Sequence, residues 1–150
     1  MTDGKKLIDS NILAYAYDRT SNKHSTGVRV LKEAMVRQEC VLSIQNLVEF
    51  SRLITEKLPK KISFEQARSI VLELSEGCEV IYYDAHAVAD ALGLCESHKI
   101  HFFDALIAAT MEKEKIYSIL TENDKDFKKI PWLNVANPFR QDVIEKNKKF

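Results

Sequence analysis

At 150 residues the chain has the length of one domain and can bury roughly 70% of its unfolded surface, so its core needs no disulfide or metal staple. Apolar residues at 45% and charged residues at 29% are ordinary globular values, which exclude a disordered or fibrous chain. The 22 basic and 22 acidic residues cancel, which excludes a strongly basic nucleic-acid module; contact with RNA or DNA has to come from a local patch or through a metal.

The first residues, Met1 to Lys6, are polar and hold no apolar signal core, and no run approaches the ~20 apolar residues that span a bilayer. The expectation is a cytoplasmic protein without membrane contact. Lys6-Leu7-Ile8-Asp9 predicts a buried first strand with Asp9 at its carboxyl end. Ser10 or Asn11 then caps a short helix over Ile12 to Asp18. Asn22 precedes a long helix whose apolar stripe is Val28, Leu31, Met35 and Val36. Cys40-Val41-Leu42-Ser43 predicts strand two. Ile44 to Lys57 predicts a helix with Leu47, Phe50, Ile54 and Leu58 on one face.

Leu58-Pro59-Lys60-Lys61 breaks that helix and reads as a solvated turn. Ser63, with Gln66 three residues on, opens the next, which carries Ala67, Ile70, Val71 and Leu74 and stops at Gly77. Glu79 to Tyr83 predicts strand three. Asp84 caps a helix from Ala85 to about Ser97, with Val88, Ala91, Leu92 and Cys95 as its apolar side. Phe102-Phe103-Asp104 opens an alanine-rich helix to Lys113 that is apolar enough to be central. Tyr117 to Thr121 predicts strand four, Asn123 to Phe127 a polar turn, and Leu133 to Ala136 a final strand. The tail from Arg140 is charged and is expected to fray. Cys40, Cys78 and Cys95 are odd in number and lack C-x-x-C spacing, which argues against a disulfide framework or a structural zinc; small buried hydrophobes are the default.

Strands alternating with helices predict right-handed crossovers and a parallel sheet covered on both faces, within a single domain over 1–150. Ligands of such a sheet bind beyond the carboxyl ends of its strands. Asp9 ends strand one, Glu49 lies two turns into the helix after strand two, Asp104 stands in the first turn of its helix, and Asp126 follows strand four. Carboxylates gathered at one edge repel and need a counter-charge. A hard divalent cation, Mg²⁺ or Mn²⁺, suits oxygen ligands and activates water against a phosphodiester. Glu49 and Asp104 both sit in apolar surroundings, where an acid is costly unless paired or metal-bound.

These segments resemble the PIN-domain ribonucleases, in particular the VapC-like toxins of toxin–antitoxin modules. Leu7 to Leu13 resembles the family's opening motif, Ser43 to Phe50 the segment of its second acid, Phe103 to Ala109 that of the third, Leu120 to Phe127 that of the fourth, and Asn137-Pro138-Phe139 its usual ending. The resemblance spans Leu7 to Phe139. It implies a three-layer α/β/α sandwich with a mostly parallel sheet of about five strands. It also implies Mg²⁺- or Mn²⁺-dependent endonuclease activity on RNA, a homodimer, and a small antitoxin partner covering the site. Many relatives place an Asp two residues after the Thr, where this chain has Asn123. Asp126 is favoured as the fourth acid, with Asn123 beside it and Asp124 in reserve. Thr121, and Ser10 or Asn11, are candidates for orienting ligands or waters.

Other residues carry weaker signals. His24, His86, His98 and His101 are scattered, and surface or helix-end roles are the default; His98 and His101, near Asp104, are candidates for a phosphate contact. Tyr15 and Tyr17 read as packing residues before base-stacking ones. The Lys125, Lys128 and Lys129 group is solvated surface by default and a phosphate track in the sharper reading. Competing functions are a PIN nuclease that processes RNA or cuts DNA outside a toxin–antitoxin pair, and a catalytically silent PIN binding module. A receiver-like phosphotransfer domain is disfavoured, since no acid precedes Asp9 and Asn137-Pro138, not a lysine, ends strand five.

Overall fold

The computed structural model describes residues 4–140. Five short strands, β1 (Lys6–Ile8), β2 (Cys40–Ser43), β3 (Glu79–Ile81), β4 (Ser118–Leu120) and β5 (Asn134–Ala136), form one all-parallel sheet in the order β3-β2-β1-β4-β5. Alternate strand residues face opposite ways. Leu7, Val41, Ile81 and Ile119 enter one apolar cluster, and Ile8, Cys40 and Leu42 enter the other. The helices divide accordingly. α1 (Ser10–Tyr17), α2 (His24–Val36), α3 (Ile44–Arg52) and α4 (Phe64–Gly77) cover one face; α5 (Ala85–His98), α6 (Phe102–Lys113) and the single turn α7 (Asp124–Phe127) cover the other. This is the expected three-layer α/β/α sandwich.

The winding places the site. From central β1 the chain steps outward to β2 and β3, then returns across the sheet to β4 and β5 on the other flank. The direction of winding therefore changes between β1 and β4. At such a switch point the crossovers part and leave a crevice beyond the carboxyl ends. Asp9 follows β1 there, and Thr121 follows β4.

Several boundaries differ from expectation. α1 starts at Ser10, and its N-cap is Asp9, whose carboxylate accepts the Ser10 N–H. On α2 the buried stripe is Gly27, Val30, Leu31 and Ala34, while Val28 and Val36 are exposed. The small side of α2 turns inward because α1 lies close: a Cβ on Gly27 would sit 2.9 Å from the Ala16 amide nitrogen. α3 closes in a π-helical turn, Leu53–Lys57, that keeps Ile54 buried beneath the break at Pro59. Gly77 is not a left-handed stop; Cys78 follows it with extended backbone, and a Cβ at Gly77 would collide with the Met35 methyl of α2. On α5 Leu92 is exposed, and Ala87 and Ala91 make the buried side. The turn expected at Asn123 to Phe127 is helical, α7 with Asn123 as its N-cap, and Phe127 is buried in the core. α6 is buried from Ala105 to Met111, as its composition predicts. Among the described residues no helix is long and apolar enough to cross a membrane.

Candidate metal centre

Asp9 is the hub. Its position as both strand end and helix cap leaves it 6% exposed. One carboxylate oxygen, Oδ1, accepts the Ser10 N–H at 2.8 Å and the Asn46 Nδ2 amide at 3.3 Å. The other, Oδ2, accepts the Thr121 hydroxyl at 2.7 Å, across the switch point. Ser10 Oγ donates to Glu49 Oε2 at 2.7 Å, so one hydroxyl links the first acid to the second. Asp104 reaches the same crevice from the first turn of α6, and its Oδ2 accepts the Asn123 amide at 2.9 Å.

All of these donors are neutral. Among the described residues no lysine or arginine pairs with Asp9, Glu49 or Asp104. The negative charge is therefore oriented but uncompensated. Burial raises the Asp9 carboxyl above its ordinary value, and Glu49 adds to that, against the hydrogen bonds from Thr121 and Ser10. Asp104 is pushed up to about 6, first by burial and then by the charges of Asp9, Asp126 and Glu49; His101, the N-cap of α6, acts in the opposite sense. Four acids thus act on one another at a single edge.

Three residues compete for the fourth position. Asn123 touches Asp104 directly. Asp126 reaches Asp104 by charge while pairing with Lys129 at 3.4 Å. Asp124 is turned away: it is buried against Asn137 Nδ2 at 3.3 Å and Arg140 at 3.0 Å, where it anchors the C-terminal Asn137-Pro138-Phe139 segment. Asn11 makes no contact with the acids, and its buried Oδ1 has no partner. Lys125, Lys128 and Lys129 are all exposed, and Lys128 and Lys129 pair with Asp124 and Asp126.

Some residues that build the site are not apparent from the linear sequence. Gln45 is buried one turn before Glu49 on the same helix face. Its Nε2 donates to Glu49 Oε1 at 2.9 Å and to the Phe103 carbonyl at 2.8 Å, tying α3 to the start of α6. Its Oε1 is buried without a partner. Asn46 makes a reciprocal capping box with Ser43 and spends its amide on Asp9. The i, i+4 spacing of Gln45 and Glu49 is the signal that could have exposed the first. Glu122 accepts the Tyr15 hydroxyl at 2.8 Å and pairs with Lys23, whose ammonium lies 5.2 Å from the ring centres of both Tyr15 and Phe139. This cluster braces the loop that carries Thr121 and Asn123.

The donor set fits a hard divalent cation. It consists of carboxylate and amide oxygens, contains no thiolate, and, among the described residues, has no lysine or arginine paired with Asp9, Glu49 or Asp104. Among the described residues no three His, Cys, Asp or Glu side chains are already gathered around one point. Asp9, Glu49 and Asp104 are instead each held by a hydroxyl or amide, and Asp126 by Lys129.

Residues 6–133 match the family described as PIN domain. Solved structures share the fold. A toxin–antitoxin complex from Klebsiella pneumoniae aligns at 23% identity and TM-score 0.64, covering 89% of this chain and 98% of that one. VapBC2 from Rickettsia felis, bound to a DNA fragment from its promoter, aligns at 23% identity and TM-score 0.63 over 88% and 97%. Mycobacterium tuberculosis VapC20, a sarcin–ricin loop cleaving toxin, aligns at 18% identity and TM-score 0.65 over 89% and 100%. No curated protein sequence matches the chain significantly. The match over residues 6–133, on an all-parallel five-stranded sheet with acids at its switch point, shows that this chain belongs to the PIN domain family.

Proposed function

We propose that this PIN domain is a divalent-metal-dependent endoribonuclease, and the toxin of a toxin–antitoxin pair. The observation that carries the reading is the crowding of acids at Asp104, a half-buried carboxyl raised to about 6 first by burial and then by the charges of Asp9, Asp126 and Glu49, with no lysine or arginine paired to it among the described residues. A site of that kind is destabilised as it stands and stabilised by a cation. A bound Mg²⁺ or Mn²⁺ supplies charge neutralisation and activates water for attack on a phosphodiester. In this reading Asp9, Glu49 and Asp104 hold the ion, with Asn123 and Asp126 completing the shell. Ser10 and Thr121 keep the Asp9 and Glu49 oxygens turned into the crevice through their hydrogen bonds. His101, the N-cap of α6 whose charge acts on Asp104, is the candidate for a phosphate contact in this reading.

RNA as substrate, a small antitoxin as partner, a homodimeric assembly and a cytoplasmic setting rest on the kinship with toxin–antitoxin structures, among them a sarcin–ricin loop cleaving toxin. The test is cleavage of single-stranded RNA with Mn²⁺ or Mg²⁺, with and without EDTA, beside Asp9→Asn and Asp104→Asn. Chelation abolishes cleavage, and each variant loses about 100-fold or more, as expected when several kcal/mol of transition-state charge stabilisation depend on the ion. EDTA-insensitive cleavage, or full activity in both variants, overturns the metal-nuclease reading. Cleavage of DNA but not RNA moves the assignment to a DNA-directed PIN nuclease.

A further inference from the structure

We propose that Cys40 and Cys78 form an oxidisable dithiol that a low-molecular-weight disulfide closes into a bond between β2 and β3. The two residues are far apart in sequence, but the sheet brings them together. β2 and β3 pair in parallel with Val41 opposite Glu79, Leu42 opposite Val80 and Ser43 opposite Ile81. One step back in that register, Cys40 faces Cys78. The Cys78 backbone is already extended, at φ −131° and ψ 155°, so the pairing geometry continues to this residue. Neighbouring strands run about 4.8 Å apart, within the roughly 4.4–6.8 Å Cα separation that a disulfide spans. Both side chains enter the same apolar cluster, at 3% and 9% exposure. Cys95 lies on α5 in the opposite layer.

The juxtaposition also differentiates the two sulfurs. The influence of Cys78, with burial, raises the Cys40 thiol, while that of Cys40 lowers the Cys78 thiol. Cys78 stands between α4 and the edge strand β3 and is the more exposed of the two residues, at 9% against 3%, so it is the attacking thiolate. It forms a mixed disulfide with one sulfur of the small disulfide and expels one thiolate. Cys40 then loses its proton, attacks the Cys78 sulfur and expels the second thiolate. Two protein thiols are oxidised, and one small disulfide is reduced to two thiols. Cys40 opens β2 and Cys78 immediately precedes β3, both opposite the acidic edge, so the bond braces the open β3 flank and leaves the acids in place.

The test is incubation of the full-length protein with oxidised glutathione, then alkylation with iodoacetamide under denaturing conditions and intact-mass and peptide analysis. The proposal expects a loss of about 2 Da, one alkylatable cysteine remaining, and a cross-linked peptide joining Cys40 to Cys78. It also expects the oxidised protein to melt at a higher temperature than the reduced one. Cys95→Ser leaves the cross-link intact and Cys78→Ser abolishes it. Three alkylatable thiols after oxidation, a cross-link through Cys95, or a glutathione adduct on Cys78 that never closes overturns it. The peptide map of the unsubstituted protein decides the matter even where a variant fails to fold.

Discussion

At the scale of single residues the site is an arrangement of neutral donors around acids that have no cation. That has a measurable sign. The Asp104 and Asp9 carboxyls are both raised, so the folded metal-free protein binds protons more tightly than the unfolded chain, whose ordinary carboxylate value is 3.8. Their stabilising contribution is complete below that value and is lost as pH rises through about 6 for Asp104. Melting temperature measured in EDTA is expected to fall over this interval, to fall less in Asp104→Asn, and to stop falling when Mg²⁺ or Mn²⁺ is added. Gln45 offers a second test. Its amide holds Glu49 and the Phe103 carbonyl together, so Gln45→Leu is expected to cost about 10–100-fold in activity or metal affinity, as partners of metal ligands commonly do. A metal titration by calorimetry, with circular dichroism showing an intact fold, checks it.

At the scale of elements, β1 with α1 and β2 with α3 each deliver an acid through a cap. Asn46 belongs to both functions, completing the α3 capping box and donating to Asp9. Asn46→Ala leaves the Ser43 hydroxyl cap in place but deprives the Ser43 N–H and Asp9 of a buried hydrogen-bond partner, worth roughly 1–3 kcal/mol, so urea denaturation is expected to show a loss of about 1–3 kcal/mol. The end of α5 carries the opposite opportunity. Lys99 closes it in the left-handed region at φ 57°, and Lys99→Gly is expected to stabilise by about 0.5–1 kcal/mol in the same assay. Much of this layer was legible in the sequence. Strand cores, the Ser63 and Asp84 caps and the buried run of α6 follow from local pattern. The inward face of α2 was not, because Gly27 and its contact with α1 decide it, and contacts between helices leave little trace in one helix's own period. The same holds at the site. Asp9, Glu49 and Asp104 stand at positions a parallel sheet makes special, whereas the roles of Asn123, Asp124 and Asp126 depend on side-chain directions within one turn that no spacing encodes.

At the scale of the whole molecule, cation binding and folding share one free energy. An ion that binds only the folded chain stabilises it by about 2.7 kcal/mol at a hundredfold excess over its Kd, so Mn²⁺ is expected to raise the melting temperature and EDTA to reverse the rise. Both effects should vanish in an Asp9→Asn, Asp104→Asn double variant. The crossing from β3 back to β4 has a further consequence, for the order in which the molecule is made. Thr121 and Asn123 hold Asp9 and Asp104 from the far side of the switch point, and β4 pairs directly with β1. A growing polypeptide can build α1 through α4 on one face while it is still being translated, but it cannot close the crevice until β4 has docked. A chain interrupted before Ser118 therefore carries all three principal acids and no assembled site.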